Sequence, residues 1–303
     1  MEVAEKDVKM RKAVIDLGTN TFNLLIGITD SSGFRVIHSE KEGVSLGMGG
    51  INAGFLAPEA FERGIKALGH FKNVCDQYQV ETIKGIGTSA LRGATNSNDF
   101  ILEAKLKFGI SIEIVSGLRE AELIYKGVKW TYDFAEASVV MDIGGGSTEF
   151  VFADKNGITD LVSLDIGVSR IYQLVDFHDP LTQEDVERIK NWLDENANGF
   201  FVGKQEHILV GAAGSFETFY ELIHNEPFPE KIEAMEISLE HLQECLVSII
   251  NSTQFERDQN AWIIPIRKKM APIAAVKTQW VLEQLNIKRV FISPCSLKEG
   301  AFA

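Results

Sequence analysis

Residues 139–152 of the chain read VVMDIGGGSTEFVF, and this stretch is the most informative part of the sequence. An apolar run ends at Asp142, a turn of three glycines with Ser147 and Thr148 follows, and a second run begins at Glu149. Two apolar runs around a turn of small residues are typical of a strand hairpin. Each glycine destabilises a hairpin by roughly 0.5–1 kcal/mol relative to alanine, so the surplus of glycine needs a reason. It indicates the close approach of a large ligand, such as a phosphate chain.

The same pattern occurs once more, near the start of the sequence. There the apolar residues 13–15 lead to Asp16, a turn of small polar residues follows, and residues 23–28 form the second run. Asp142 follows Asp16 by 126 residues, which is about one domain length. A repeat of this size predicts two similar α/β domains, each opening with a β-hairpin. We expect the two turns to face each other across a cleft and to hold parts of one phosphorylated ligand.

The turn of the first repeat carries residues suited to an anion. Gly18 lets the backbone approach a ligand, and successive backbone N–H groups in such a turn form an anion-binding nest. Thr19, Asn20 and Thr21 add side-chain donors, while Asp16 places a carboxylate at the same strand end. A carboxylate beside a phosphate nest makes sense mainly when Mg²⁺ lies between them. By itself, this turn is equally compatible with an ordinary tight hairpin.

The length and composition narrow the class of protein. The chain has 303 residues, of which 45% are apolar and 24% charged, as in ordinary globular proteins. The length predicts two domains, and the composition excludes a disordered, fibrous or disulfide-stapled chain. The formal net charge of -13 makes the chain a poor general binder of DNA, RNA or anionic membranes. A polyanionic ligand would therefore need a local basic patch or a metal ion.

The cysteines and the residues at the start of the sequence indicate where in the cell the protein is located. Cys75, Cys245 and Cys295 are far apart and odd in number, which predicts reduced thiols without a disulfide framework or a CxxC metal site. Residues 1–12 mix charges and lack the apolar region of a signal peptide. No apolar run reaches the roughly 18 residues that a membrane span needs. We expect a cytoplasmic protein without membrane contact.

Further patterns predict the elements around the two hairpins. Apolar residues at helical spacing follow Pro58, and Thr182 with Asp185 has the spacing of a helix capping box. The other predicted strands are residues 34–39, 82–86, 112–115, 159–164, 208–210 and 290–292. The other predicted helices are residues 99–108, 118–130, 239–251 and 273–285, with a short helix at the end of the sequence.

Six stretches carry a resemblance to a known family: AVIDLGTNTFNLLIG (13–27), GTSALRGATN (87–96), VSGLREAELIYKGV (115–128), VVMDIGGGSTEFVF (139–152), SLDIGVSR (163–170) and SLKEG (296–300). Together they resemble the Ppx/GppA family of exopolyphosphatases and guanosine pentaphosphate phosphohydrolases, within the actin-like ATPase superfamily. The hairpins are shared by the superfamily, whereas the TSALR and SG-x-x-EA segments are specific to the family. The resemblance implies two RNase H-like domains around a central cleft. Domain I would comprise residues 1–125 with a C-terminal helix at about 296–303, and domain II residues 126–295.

The resemblance also implies roles for individual residues. Glu120, in SGLREA, matches the family's proposed general base for the attacking water, and Glu149 is the second catalytic carboxylate. Without the resemblance, a Glu in a first helical turn would be read as a surface residue that stabilises the helix dipole. Arg92, in TSALR, matches a phosphate-contacting position, which suits its planar guanidinium. Gly214 and Ser215 resemble the late glycine turn where actin-like proteins approach a nucleoside, although a helix N-cap at Ser215 explains them equally well.

The remaining predicted site residues belong mostly to the two hairpin turns. The expected ligands of Mg²⁺ are Asp16, Asp142 and Glu149. The expected phosphate-binding residues are Gly18, Thr19, Asn20, Thr21, Arg92, Gly144, Gly145, Gly146, Ser147 and Thr148. Residues 266–270, IRKKM, replace the family's more usual Arg-Ala-Asp-like stretch. We interpret the basic residues 267–269 as a solvated face rather than as a polyanion contact.

The favoured function is hydrolysis of a terminal phosphoanhydride of polyphosphate or of a phosphorylated guanosine nucleotide, with Mg²⁺ or another divalent cation. One alternative is a phosphotransferase of the same superfamily, which would need an acceptor pocket with an Asp base. A second alternative is a polyphosphate- or nucleotide-sensing protein that binds without turnover, although every proposed catalytic carboxylate is present. The resemblance also makes a homodimer an expectation.

Overall fold

The computed structural model describes residues 10–30, 33–229 and 232–302. The strands of its first sheet are β1 (Arg11–Leu17), β2 (Thr21–Asp30), β3 (Gly33–Gly43), β4 (Thr82–Gly87) and β5 (Ser111–Ile114). They lie in the order β3-β2-β1-β4-β5, with β1 antiparallel to β2 and parallel to β4. The flanking elements are a 3-10 turn (Ile51–Ala53) and the helices α1 (Pro58–Gln77), α2 (Ser89–Gly93) and α3 (Ser97–Phe108). Because β1 and β4 run in parallel, Asp16 and α2 come together at one edge of the sheet.

The second sheet follows the helix α4 (Gly117–Val128). Its strands are β6 (Ser138–Ile143), β7 (Thr148–Asp154), β8 (Gly157–Leu164), β9 (Ile208–Ala212), β10 (Met235–Ile237) and β11 (Arg289–Ile292), in the order β10-β11-β9-β6-β7-β8. The helices are α5 (Val168–Tyr172), α6 (Gln183–Asn196), α7 (Ala213–His224), α8 (Leu239–Asn251), α9 (Gln254–Gln259), α10 (Ala271–Leu285) and α11 (Leu297–Phe302). All residues of β6 are buried, which explains why this strand reads as a continuous apolar run.

The two sheets confirm the predicted repeat. Strands β6, β7, β8, β9 and β11 have the arrangement of β1 to β5, and β10 adds an antiparallel edge strand. Asp16 lies opposite Asn23 in the first hairpin, and Asp142 lies opposite Glu149 in the second. The backbone is therefore repeated while the chemistry is not, because an amide in one hairpin replaces a carboxylate in the other.

An irregularity in strand pairing is repeated as well. The register between the second and third strands shifts at Ile26/Gly27 in the first sheet and at Phe152/Ala153 in the second. The two shifts are again 126 residues apart. A bulge adds local twist to a sheet. Both hairpins are therefore bent at the same place.

Most predicted elements are present, whereas the 12-residue helix α7 was indicated only by the alternative N-cap at Ser215. Residues 239–251 form α8, and Thr182 with Asp185 forms the capping box that begins α6. No sequence pattern indicated α2, α5, α9 and β10, which have three to six residues each and are too short to display a period. Among the helices that the structure describes, none combines the length and apolar character needed to cross a membrane.

Two helices, α4 and α11, lie between the sheets. α4 packs on β7 and β8, while α11 packs on α4, β1 and β2. A buried cluster joins apolar residues of both sheets around these helices, including Val14, Ile86, Ile124, Val140 and Leu297. The predicted boundary between residues 125 and 126 falls inside α4, which is continuous there. The division into two domains at this point stays a prediction.

The helices α4 and α11 approach each other at glycines. A Cβ atom on Gly127 would collide with the backbone oxygen of Ser296, and one on Gly300 would collide with the backbone oxygen of Leu123. Backbone-to-backbone contact of this kind leaves no side chain that could move aside. The packing of α11 therefore depends on these two glycines.

We expect Gly127→Ala to lower the free energy of unfolding by about 1–3 kcal/mol, because the added methyl group overpacks the contact with Ser296. Urea unfolding followed by circular dichroism measures this change. Gly93→Ala is the matched control, since a Cβ on this helical glycine would meet only Arg170 Nη2, at 3.9 Å. Equal stability of the two variants would contradict the close approach of α4 and α11.

Candidate active site

The two hairpin turns lie against each other at the floor of one cleft. A Cβ atom on Gly145 would lie 2.9 Å from Cβ of Thr19 and from Cγ of Asn20. A Cβ atom on Gly146 would lie 2.8 Å from Oγ1 of Thr19. Residues 18–21 and 144–147 line the same cleft. The structure thus brings the two predicted turns together, at a distance that only glycine allows.

The start of α5 fixes the backbone of the glycine turn. The N–H groups of residues 167–169 donate to the carbonyl oxygens of residues 144–146, over 2.8 to 3.2 Å. The N–H and C=O groups of a trans peptide point in opposite directions. The N–H groups that follow these carbonyls therefore point away from α5. Backbone N–H groups that face one way suit an anion, and the binding of phosphate by this turn stays a prediction.

Five carboxylates line this cleft, and four of them interact with one another: Asp16, Glu120, Asp142 and Glu149. Burial, together with the charge of Asp142, raises the pKa of Asp16 and of Glu149 to about 7. Burial also raises the pKa of Asp142. Burial and the charge of Glu149 raise the pKa of Glu120 well above its usual range, against the opposing effect of Arg92. The carboxylates therefore lie close enough to repel one another, and a bound cation would relieve this repulsion.

The carboxylates provide the hard oxygen donors that Mg²⁺ prefers. Oδ2 of Asp16 accepts a hydrogen bond from Asn23 at 3.0 Å, and Oδ2 of Asp142 accepts one from Oγ of Ser296 at 2.6 Å. Within residues 10–30, 33–229 and 232–302, no three His, Cys, Asp or Glu side chains converge as in a closed metal site. Mg²⁺ needs only one or two protein carboxylates, since water and phosphate oxygens complete its coordination. The residues fit this cation, and the assignment of Asp16, Asp142 and Glu149 as its ligands stays a prediction.

Glu120 enters the cleft from the first turn of α4. Ser116 caps this helix, and Glu120 is 7% exposed. Nη1 of Arg92 lies 2.7 Å from Oε2 of Glu120 and donates to the carbonyl oxygen of Val115 at 3.2 Å. Arg92 itself lines a separate recess, together with Ser163. The structure therefore places Arg92 behind Glu120, and its contact with phosphate stays a prediction.

Asn20 has a contact that its sequence position did not indicate. Its Oδ1 accepts a hydrogen bond from Oγ of Ser169 at 2.6 Å, and its Nδ2 donates to Sδ of Met270 at 3.5 Å. Both partners belong to the second half of the chain. The side chain of Asn20 therefore joins the two halves, and a role in phosphate binding would fall mainly to the backbone of this turn.

Ser89 is a cleft residue that the sequence did not mark as functional. Its hydroxyl is buried in the cleft beside Gly146 and has no hydrogen-bond partner among the described residues. A buried hydroxyl without a partner is uncommon and costs free energy. A phosphate oxygen of a ligand would satisfy it. The available signal was a small polar residue two positions after β4, at the edge where β1 also ends.

Lys277 is a second residue that sequence reasoning missed. It is fully buried in α10 and donates hydrogen bonds to Oγ1 of Thr148 and to the carbonyl oxygen of Ile166. Burial lowers the pKa of Lys277 to about 7, although the charge of Glu149 acts in the opposite direction. Through its hydrogen bond to Thr148, this lysine supports the end of the glycine turn. The apolar residues that precede Lys277 in α10 give no sequence signal for such a contact.

The part of the cleft that Gly214, Ser215 and Arg267 line departs from the sequence-based interpretation. Gly214 and Ser215 line it, but the cap of α7 is Ala212, so the reading of Ser215 as an N-cap is wrong. The side chain of Arg267 lines the same end and is only 17% exposed, so its interpretation as a solvated residue is also wrong. Lys269, two residues later, is exposed. The basic run therefore divides between the cleft and the surface.

Comparison with known proteins places the chain among phosphatases. The family model described as Ppx/GppA phosphatase family matches residues 25–303. The bifunctional 3-dehydroquinate synthase/phosphatase of Fusobacterium nucleatum is 32% identical over 253 residues, which are 79% of this chain and 37% of that protein. The guanosine-5'-triphosphate,3'-diphosphate pyrophosphatase of Aeromonas salmonicida is 29% identical over 292 residues, which are 95% of this chain and 58% of that protein. The chain thus spans between about a third and three fifths of the length of these relatives.

Solved structures match over nearly the whole chain. An exopolyphosphatase from Cytophaga hutchinsonii is 33% identical with a TM-score of 0.92, covering 97% of this chain and 96% of that one. The Aquifex aeolicus PPX-GPPA enzyme is 25% identical with a TM-score of 0.79, covering 97% of this chain and 98% of that one. These similarities confirm the predicted fold class of two α/β domains of the actin-like type.

Lys277→Met is expected to remove part of the pH dependence of stability. The folded-state pKa of about 7 lies below the value of about 10.4 for a lysine in an unfolded chain. Between these values the unfolded chain binds the additional proton, so the wild-type free energy of unfolding rises with pH, by up to about 1.4 kcal/mol per unit. Urea titrations at about pH 7 and pH 9 measure this rise. The rise should be smaller in Lys277→Met and unchanged in Lys66→Met, an exposed lysine of α1, and equal rises in both variants would contradict the role of Lys277.

Proposed function

The chain belongs to the Ppx/GppA phosphatase family, and from this premise we propose that it hydrolyses the terminal phosphoanhydride of inorganic polyphosphate or guanosine pentaphosphate. The observation that carries the proposal is the position of Glu120. This buried carboxylate is paired with Arg92 and shares one cleft with the two facing turns. A base on one side of a cleft and an anion nest on the other is the arrangement that hydrolysis of a phosphate ester or anhydride requires.

The two turns bind the terminal phosphate in this proposal. The backbone N–H groups that follow the carbonyls of residues 144–146 donate to its oxygens, and the unpartnered hydroxyl of Ser89 adds a further donor. Asp16 and Asp142 would hold Mg²⁺, which when bound would offset phosphate charge and help to align the terminal phosphate. Most of the rate in phosphoryl transfer comes from such positioning and charge stabilisation.

Glu120 orients and deprotonates the attacking water. The water oxygen forms a bond to the terminal phosphorus while the bond from phosphorus to the bridging oxygen breaks, and the remaining chain leaves with that oxygen. The proton of the water passes to a carboxylate oxygen of Glu120. Burial raises the pKa of this carboxylate, and a base whose pKa lies nearer the working pH accepts a proton more readily. Arg92 holds Glu120 in place through its Nη1 atom.

Release of phosphate without an acceptor separates the proposal from its alternatives. Purified protein with Mg²⁺ would be given long-chain polyphosphate, guanosine pentaphosphate and ATP in separate reactions. A phosphotransferase would release phosphate only when an acceptor is added, and a sensing protein would bind polyphosphate without release. We further propose a cytoplasmic location and a homodimer, both supported by the family alone, and sedimentation of the purified chain would test the dimer.

Glu120→Gln is expected to lower kcat by about 100-fold or more, because an amide cannot accept the proton of the attacking water. KM for polyphosphate should change little, since the turns and not Glu120 bind the substrate. Steady-state phosphate release measures both constants. Glu122→Gln is the matched control, because this residue of the same helix has a half-exposed side chain, is paired with Arg119 and does not line the cleft. Wild-type turnover in Glu120→Gln would show that the base has been misassigned.

Removal of divalent cations is expected to abolish phosphate release, because four neighbouring carboxylates and an anionic substrate then lack a counter-charge. Activity would be measured after treatment with EDTA and again after addition of Mg²⁺. A thermal unfolding scan gives an independent readout, since Mg²⁺ that binds the folded chain raises the melting temperature. Full activity in EDTA would exclude a metal site at Asp16 and Asp142.

A further inference from the structure

The side chain of Arg170, in α5, lies behind the glycine turn rather than in the cleft. It is largely buried, and Arg170 is not among the described residues that line the cleft. Its Nε donates to the carbonyl oxygen of Gly146 at 2.7 Å. Its Nη1 donates to the carbonyl oxygen of Ile51 at 3.3 Å, and its Nη2 lies 3.3 Å from Oδ1 of Asp165. One guanidinium therefore joins the glycine turn, a turn in the first half of the chain and an exposed carboxylate.

The carbonyl oxygen of Gly146 accepts two hydrogen bonds. Besides Nε of Arg170, the backbone N–H of Gly167 donates to it at 3.2 Å. A carbonyl oxygen has two lone pairs, so both are in use. Because the peptide is planar and trans, the N–H of Ser147 points in the opposite direction. The two donors thereby fix the orientation of an N–H group that the proposed function assigns to the terminal phosphate.

The internal repeat contains the same arrangement with a different second donor. Asn20 precedes Gly146 by 126 residues, which is the offset of the two hairpins. Its carbonyl oxygen also accepts two hydrogen bonds, from the backbone N–H groups of Val44 and Ser45, each at 2.8 Å. In the first half both donors are backbone groups, whereas in the second half the side chain of Arg170 supplies one of them. A carbonyl held twice at the same place in both halves indicates that its orientation matters to the site.

The glycine turn needs external support more than the first turn does. Residues 144–146 are three consecutive glycines, whereas the first turn has one glycine, Gly18, followed by three residues with side chains. Glycine loses more conformational freedom on ordering than any other residue. A loose turn would have to be ordered each time a ligand binds, which would weaken binding. Donors that are held in place beforehand stabilise charge without this reorganisation.

The first half of the chain holds Arg170 in turn. Nδ2 of Asn52 donates to the carbonyl oxygen of Arg170 at 3.0 Å. This is a second hydrogen bond between α5 and the 3-10 turn Ile51–Ala53, besides the one from Nη1 of Arg170 to Ile51. Both the backbone and the side chain of Arg170 are therefore fixed, and its Nε is kept on Gly146.

We infer that Arg170 is a positioning residue, which orients the carbonyl of Gly146 and thereby aims the N–H of Ser147 at the terminal phosphate. This inference rests on the proposed function and adds a residue that does not touch the substrate. A guanidinium suits the role, since it is always charged and carries five donors in a rigid plane. A role in stability alone would instead leave the ligand affinity of the folded protein unchanged.

Arg170→Met tests this role, because methionine is apolar and removes every donor of the guanidinium. We expect kcat/KM for tripolyphosphate with Mg²⁺ to fall at least about tenfold, since the loss of one charge-assisted hydrogen bond has this effect. Arg170→Lys should recover part of the loss, because an ammonium group restores the charge and one donor without the planar fork. A kcat/KM of Arg170→Met within about twofold of the wild type overturns the inference. Arg170→Gln, whose shorter side chain loses the bond to Gly146, provides the same test if Arg170→Met fails to fold.

A binding measurement separates this inference from the proposed function. Titration calorimetry would measure the Kd of tripolyphosphate with Mg²⁺ for Glu120→Gln, alone and combined with Arg170→Met. We expect the second substitution to raise Kd at least about tenfold. An unchanged Kd, with a lower free energy of unfolding in urea, would show that Arg170 serves stability alone. Absence of phosphate release from the wild type would overturn the proposed function, whereas the two Kd values would still decide the role of Arg170.

Asn52→Ala is the matched control for these variants. It removes the hydrogen bond to the carbonyl oxygen of Arg170 but leaves the bond from Nε to Gly146. Asn52 is exposed and lies outside the described residues that line the cleft. Its kcat/KM and Kd should therefore stay within about threefold of the wild-type values. A change equal to that in Arg170→Met would assign the effect to the contact between the two halves, and would overturn the direct role at Gly146.

Discussion

The direct contact between the two hairpin turns is the constraint on which the rest of the site depends. Thr19 and Asn20 meet Gly145 and Gly146 at distances that admit no further side chain. Strands β1 and β6 end at these turns, so the contact also fixes the carboxylates that terminate them. A larger separation would let water between the acids and would lower the pKa values that burial now raises. The glycines of the second turn thus govern both the shape and the electrostatics of the cleft.

The four carboxylates crowded at this contact accept hydrogen bonds from neutral and charged donors that belong to separate elements. A buried ionised carboxylate without a partner is costly. Each acid here accepts a hydrogen bond from a different part of the chain: Asn23 serves Asp16, Ser296 serves Asp142, Ser163 serves Glu149, and Arg92 serves Glu120. The single strong cation among these donors lies beside Glu120, while the other three acids have neutral partners. This difference leaves the predicted Mg²⁺ ligands Asp16, Asp142 and Glu149 with neutral hydrogen-bond donors and Glu120 with a charged one.

The sequence was sufficient for the repeat, the two turns and the acids beside them, because these features depend on local patterns and on one fixed offset. It was insufficient where contacts join distant residues. Lys277 reaches Thr148 from a helix in which the residues before it, 271–276, are all apolar. Arg267 lies on Gly214 through a loop that no periodicity describes. Both were missed for the same physical reason, since a buried polar contact is determined by three-dimensional packing and not by the residues on either side.

The packing of α11 on α4 has a consequence for the folding of the chain during its synthesis. The helix that carries Glu120 is translated early, whereas the segment that covers its Gly127 face and places Ser296 on Asp142 is translated some 170 residues later. At ribosomal rates of about 5–20 residues per second, this interval is on the order of ten seconds or more. During it, the inner face of α4 lacks its partner and is available to chaperones. An emerging chain therefore cannot complete the cleft before α11 has been translated.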